Sequence, residues 1–147
     1  ILLVPCLDYA VSNNFGGLEL GTAAEGEPVL AVVLDDLGFT QVDFIKLDVE
    51  GMELRALHGA RSLIQKCRPC LYVENDRPEN SAALIEFIAG LDYQLVWHRP
   101  PLFNPDNFAG NKENVFPNVY SLNMFCVPRE KNMNLLGFEP VLPAKPV

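Results

Sequence analysis

Between Phe44 and Ala60 the chain reads FIKLDVEGMELRALHGA, and its apolar period changes at one residue, Gly51. Ahead of it, Ile45, Leu47 and Val49 alternate with Lys46, Asp48 and Glu50, the period of two that marks a strand. Behind it, Leu54, Leu57 and Ile64 recur at helical spacing, with Ala56 and Leu63 beside them. A strand that passes through a glycine directly into a helix is the first half of a strand–helix–strand unit. One helix from Met52 to about Lys66 is the expectation.

The following segments extend that unit. RPCLYVEND predicts a strand from Cys70 to Glu74. Pro78 and the polar ENS open a helix with Leu84, Ile85, Ile88 and Leu91 on its inner face, and Gly90 ends it. YQLVW predicts a third strand. This order implies an α/β fold with a mainly parallel sheet and covering helices. VYSLNMFCV is a last strand with no helix before it, so an antiparallel insertion is expected. It follows the long stretch HRPPLFNPDNFAGNKENVFPN, and loops of that length are often lids or binding loops. There Phe103, Phe108 and Phe116 read as pins that hold a loop to the core.

The flanks say less. SNNFGGLELG holds turn formers and a short alternation at Leu18 and Leu20. PVLAVVLDDLGF is an extended apolar run ending on Asp35 and Asp36. PVLPAKPV is Pro-rich and predicts a wandering tail. The division expected is a domain over residues 1–128 and a tail over 129–147.

With 147 residues and 49% hydrophobic content, one domain with a real core is affordable in surface terms. The formal net charge of −8, with no basic run to offset it, argues against nucleic acid and against an anionic membrane surface. No apolar run nears the ~20 residues that span a bilayer, so a cytoplasmic protein is expected. Cys67 and Cys70 form CRPC, but the pair follows a helix rather than opening one, which is the wrong polarity for a redox thiolate. A zinc site needs a second close pair, and Cys6 and Cys126 do not form one. Ordinary thiols are the reading.

In open α/β sheets the ligand crevice lies beyond the carboxyl ends of the strands. Asp48, Glu50, Glu74, Asn75 and Asp76 fall at such ends, and His98 follows the third strand. Asp48 and Glu50 share a strand face if the strand stays extended that far. Gly51 permits the turn, and Glu50 and Glu53 lie at a helix N-terminus, where the dipole favours negative charge. Helix capping, or an Asp48–Lys46 pair, is thus one account of these acids. As a site, a carboxylate cluster with one lysine suits three tasks: binding an ammonium or ribose hydroxyls, holding a hard divalent cation, or acting as general base on a hydroxyl. His58, on the helix, reads as structural.

The run VDFIKLDVEGMELRALHGA resembles the FkbM-like family of S-adenosylmethionine-dependent methyltransferases. Lys46, Asp48, Glu50, Gly51, Glu53, Leu57, Gly59 and Ala60 match its pattern. NFGGLEL, VVLDDL, RPCLYVEN with Glu74, and NVYSLNMFCVP resemble further family segments, so the likeness covers most of residues 13–128. It implies part of a Rossmann-like class I methyltransferase sheet and O-methylation of a hydroxyl on a sugar or small natural product. The family's D-x-G-x-x-x-G turn does not occur in this sequence, and the chain reads as the C-terminal half of such an enzyme, with weak cofactor binding expected. By resemblance, Asp48 sits at the cofactor's methionine end and is a catalytic candidate with Glu50 and Glu74 on the acceptor side. Lys46, His98 and Asn123 are substrate candidates, with no metal assigned. A strand cut from its family neighbour leaves an apolar edge, so a homodimer is expected. The rival readings are a non-catalytic α/β binding fragment and a metal-dependent α/β enzyme using Asp48, Glu50 and Glu74.

Overall fold

The computed structural model describes residues 1–12, 17–20 and 25–142. Two strands, β1 (Leu2–Pro5) and β2 (Gly26–Val29), form an antiparallel two-stranded sheet of their own. The main body runs β3 (Phe44–Leu47), α1 (Glu53–His58), α2 (Arg61–Cys67), β4 (Cys70–Glu74), α3 (Pro78–Ala89), β5 (Tyr93–His98), β6 (Asn123–Pro128) and β7 (Glu139–Pro140). Much of SNNFGGLELG lies outside the described residues, as does the end of the Pro-rich tail.

The five-stranded sheet has the order β3-β4-β6-β5-β7. It is mixed, which corrects the expectation of a mainly parallel sheet. Only β3 and β4 form a parallel ladder; β4–β6, β5–β6 and β5–β7 are antiparallel. The reason is where β6 goes. β3, β4 and β5 share a direction, as their helical connections require. β6 returns from the long loop and inserts between β4 and β5, turning one parallel contact into two antiparallel ones. It starts at Asn123, four residues later than the sequence pattern suggests, because Pro101 and Tyr120 pair at the base of the loop instead.

The three helices bury Leu57, Ile64, Leu84, Ile85 and Ile88 against Leu47, Leu71, Val73, Leu95, Met124 and Cys126. These sheet residues lie on one face by the alternation of strand side chains. The other face carries Phe44, Lys46, Tyr72, Glu74, His98 and Asn123.

The predicted single helix from Met52 is two. The break falls at Gly59 and Ala60, and a distant acid stabilises it. Asp35, in a 3₁₀ turn over Leu34–Leu37, accepts hydrogen bonds from the backbone N–H of Ser62 (3.0 Å) and Leu63 (2.8 Å). Its own N–H donates to the Gly59 carbonyl at 2.9 Å. Asp35 therefore caps α2 from outside the helix, supplying acceptors to first-turn donors that have no intrahelical partner. The Leu63 N–H is the main cause that holds its carboxyl below the usual 3.8. A depressed carboxyl stabilises the fold above its unfolded pKa, and that contribution disappears as pH falls through the folded value. Asp35→Ala is expected to lower the thermal midpoint at pH 7 and to differ little from the parent near pH 2, as thermal melts across pH would read.

Residues after Pro128 return to the sheet. β7 pairs with β5, and Val141 is 6% exposed in the core. All four cysteines are free; Cys70 and Cys126 are buried, and burial pushes the Cys126 thiol well above its usual range. Cys67 ends α2 and Cys70 opens β4, so CRPC spans a helix-to-strand turn.

Candidate active site

β3 regularity ends at Leu47, and Glu50 does not continue it. Glu50 has φ 51° and Gly51 φ 89°, two successive left-handed residues. The expectation that Asp48 and Glu50 share one extended face is thus corrected: the turn re-aims Glu50. Gly51 occupies a conformation that costs a side chain strain, whereas Glu50 is held in it by what surrounds it. Glu53 supplies much of that hold. It is 5% exposed, and its Oε1 accepts from the Val49 N–H (3.0 Å) and the Gly51 N–H (3.3 Å). Glu53 is therefore the clamp of the turn, and not a cap of α1, whose N-terminus receives no side-chain hydrogen bond.

This turn brings Asp48, Glu50 and Glu74 together, with one carboxylate oxygen from each within 4.8 Å of the others. Each has a different environment. Asp48 pairs with Lys46 at 2.5 Å, both well exposed. Glu50 pairs with Arg77 at 3.1 Å. Glu74 has no ion pair among the described residues. Partial burial, reinforced by Asp48, Asp76, Glu50 and Glu53, pushes its pKa up to about 7. Taking a carboxylate out of water beside like charges favours its neutral form. The protonation of Glu74 therefore changes near neutral pH.

Ladder registers extend the site along the sheet. Glu74 lies opposite Asn123, and Asn123 opposite His98. Leu47 aligns with Val73, which sets Asp48 next to Glu74 at the row's end. Asn123 is 6% exposed and donates from Nδ2 to the Ser121 hydroxyl at 2.6 Å. His98 Nδ1 lies 2.7 Å from the Tyr72 hydroxyl, which belongs to the adjacent row with Lys46. Burial raises the Tyr72 pKa, with Lys46 opposing. His58 meets Phe87 edge-on, with ring centroids 4.5 Å apart, on the helical side and away from this row.

A polar cleft of about 370 Å³ opens beside the cluster, lined by Glu50, Glu74, Asp76, Arg77, Tyr120 and Ser121 among others. Its far wall is the base of the long loop. Leu102 N–H donates to Val119 O and Ser121 N–H to Pro100 O, each at 3.0 Å, closing the loop like a hairpin. Asn104 and Asn107 side chains hydrogen-bond turn backbone at Asp106 and Asn111, an economical way to order a loop without a core. The phenylalanines do less than expected: Phe108 and Phe116 are exposed, and Phe103 is half-buried.

Two residues near the carboxylates escape the sequence reading. Tyr72 stands two positions before Glu74, so period-two alternation signals it. Arg77 carries no local signal. It binds Glu19 (3.2 Å), Glu50 and Asp76 (both 3.1 Å), three acids from separate segments. Its Nε is buried and has no hydrogen-bond partner among the described residues.

The arrangement can orient a cation or a hydroxyl group at the carboxylates and exchange a proton at Glu74. No helix among the described residues is long and apolar enough to cross a membrane. No curated protein and no solved structure matches the chain significantly. The methyltransferase FkbM domain matches residues 17–95, a span that holds Asp48, Glu50, Glu74 and Arg77 and stops short of His98 and Asn123. That match extends over more than half of the 147 residues, and the chain belongs to the methyltransferase FkbM domain family.

Proposed function

We propose that this domain transfers a methyl group from S-adenosylmethionine to a hydroxyl of a sugar or small natural product. The observation that carries the reading is Glu74, a carboxyl with a pKa of about 7 set beside Asp48 at the carboxyl ends of two parallel strands. The donor set suits the group. The methionine end of the cofactor carries a sulfonium and an ammonium, and the carboxylate of Asp48 has the opposite charge. The cofactor, when bound, supplies the activated methyl.

The residues here would do the rest. Asp48 holds the methionine end. Glu50 and Glu74 line the acceptor side, and Glu74 takes the proton of the acceptor hydroxyl. A base whose pKa lies near the working pH combines adequate basicity with the right protonation state. Lys46, His98 and Asn123 contact the acceptor along the same sheet face. Proximity and alignment carry much of the remaining acceleration.

A metal-dependent reading has one observation in its favour, the 4.8 Å proximity of the three carboxylates. Lys46 and Arg77 weaken it, because each already neutralises one of them.

Titration calorimetry with S-adenosylmethionine, Mg²⁺ and Mn²⁺ separates the readings. With no D-x-G-x-x-x-G turn in these residues, the cofactor constant is expected to be weaker than low micromolar, and the metals to give weaker heats still. Tight metal binding abolished by Glu74→Gln would transfer the site to the metal reading. Labelled-methyl transfer at saturating cofactor to neutral sugars, amino sugars and polyketide alcohols tests the activity. Asp48→Ala is expected to raise the cofactor KM about 10–100-fold, the worth of one charge-assisted hydrogen bond. An unchanged KM would return Asp48 to a pairing role with Lys46.

A further inference from the structure

The polar cleft beside Glu74 has two unlike walls. One carries the acids Glu50, Glu74 and Asp76; the other is the base of the long loop, with Leu102, Tyr120 and Ser121. The second wall is fastened to the sheet. The Asn75 N–H donates to the Leu122 carbonyl at 2.8 Å, directly after the pair Glu74–Asn123 in the β4–β6 ladder. Pro101 bridges Tyr120, and the Ser121 N–H donates to the Pro100 carbonyl at 3.0 Å. A wall held by backbone bonds on both sides keeps its side chains in one place, as recognition requires.

Ser121 offers an oriented donor. Its hydroxyl oxygen accepts from Asn123 Nδ2 at 2.6 Å. A hydroxyl has one proton and two lone pairs. With Asn123 donating to it, that proton points elsewhere, and it meets no acceptor among the described residues. Asn123 lies opposite Glu74, so the Ser121 hydroxyl stands one hydrogen bond from the row that holds Glu74.

The base and this donor need different oxygens. The reacting hydroxyl gives its proton to Glu74 and its lone pair to the methyl carbon, and a donor on the same oxygen would compete for that lone pair. Ser121 therefore suits a second oxygen of the acceptor, close to the first. Tyr120, the residue before it, adds an aromatic surface to the cleft. An aromatic ring packs on the C–H face of a sugar while the sugar's hydroxyls reach polar groups around it. At about 370 Å³ the cleft is near the small end of ligand sites, which fits one ring and not a chain of them.

We infer that Tyr120 and Ser121 select the acceptor: a pyranose ring packs on Tyr120, and the oxygen next to the methylated hydroxyl accepts a hydrogen bond from Ser121. The acceptor is then a vicinal diol of a monosaccharide. This rests on reading the cleft as the acceptor side of a methyltransferase, and it assigns residues and a substrate feature which that reading leaves open.

Ligand-observed NMR titration with the methyl glycosides of glucose, mannose and galactose and their monodeoxy forms tests it without cofactor. At least one glycoside is expected to bind at millimolar concentration. Removing one hydroxyl of one adjacent pair should weaken it about tenfold, the effect of one hydrogen bond. In Ser121→Ala the glycoside and that deoxy form should bind equally, and Ser121→Thr should restore the difference. Tyr120→Ala should weaken every glycoside, and Tyr120→Phe should not. Ser121→Ala also takes a partner from the Asn123 amide, so circular dichroism checks its fold; the deoxy series on the parent and the two Tyr120 variants leave Ser121 in place. A parent that binds none of the glycosides overturns the inference, as does a hydroxyl dependence that persists in Ser121→Ala. Labelled-methyl transfer separates the two readings. Alcohols with a lone hydroxyl methylated as fast as the diols would overturn this inference and keep the methyltransferase. Glycosides that bind through Ser121 and Tyr120 but accept no methyl group from saturating cofactor would overturn the methyltransferase reading and keep the sugar site.

Discussion

Glu74→Gln is expected to slow methyl transfer by on the order of 10²–10⁴-fold at pH 8 while making the protein more stable there. The two effects have one origin. Burial and the surrounding acids raise the Glu74 pKa from about 4.5 to about 7. Below pH 4.5 the group is protonated whether the chain is folded or not, and it contributes nothing. Between 4.5 and 7 the unfolded chain releases the proton and the folded chain keeps it. Stability therefore falls as pH rises through that window, and the full penalty stands above pH 7. Gln keeps the shape and removes the charge. Relative to the parent it should gain on the order of 1–2 kcal/mol above pH 7, after allowance for solvent screening, and nothing near pH 4. Thermal melts at both pH values, with turnover at pH 8, check the pair. A residue that only supports the fold would not lower turnover while raising the melting point. Normal turnover in the variant would remove Glu74 as the base.

Tyr93→Ala is expected to cost about 3–5 kcal/mol, as for other buried aromatic truncations, a large share of the ~5–15 kcal/mol that holds a domain together. Tyr93 is fully buried at the start of β5, and its hydroxyl donates to the Pro69 carbonyl at 2.8 Å. The Arg68 guanidinium lies 4.7 Å from the centre of its ring. Arg68 also donates to the carbonyls of Leu91 (2.7 Å) and Asp92 (3.2 Å) and makes a two-pronged pair with Glu130 at 2.6 and 2.9 Å. That pair holds the Glu130 carboxyl down to about 2. Tyr93 and Arg68 thus tie together the entries to β4 and β5 and the exit of β6. Tyr93→Phe keeps the packing and should cost only about 1–2 kcal/mol, the loss of one buried partner for a carbonyl. Urea denaturation of both variants gives the two numbers, and equal costs would mean that the hydroxyl, not the ring, secures the junction.

The change of period at Gly51 set out the strand, the turn and the start of α1 because each depends on neighbours within a few residues. The strand Cys70–Glu74 and the helix Pro78–Ala89 were legible for the same reason. So was the emergence of Asp48 and Glu74 at strand ends: an acid that closes an apolar alternation has left the core. Tyr72 could have been added by counting two back from Glu74.

Tertiary structure decided what depends on contacts between distant segments. The helix break at Gly59 exists because Asp35, 27 residues before Ser62, supplies its cap. Arg77 joins the site through acids at positions 19, 50 and 76, a gathering that no periodicity encodes. The mixed sheet follows from β6 entering between β4 and β5, and strand order is a matter of which backbone edge is open when a segment arrives, not of the segment's own pattern. Glu74 shows the division within one residue. Its identity and its place at a strand end are local and written in the sequence. Its pKa of about 7 comes from burial and from four acids that only the folded turn and sheet bring near it, because desolvation and charge act through space and not along the chain.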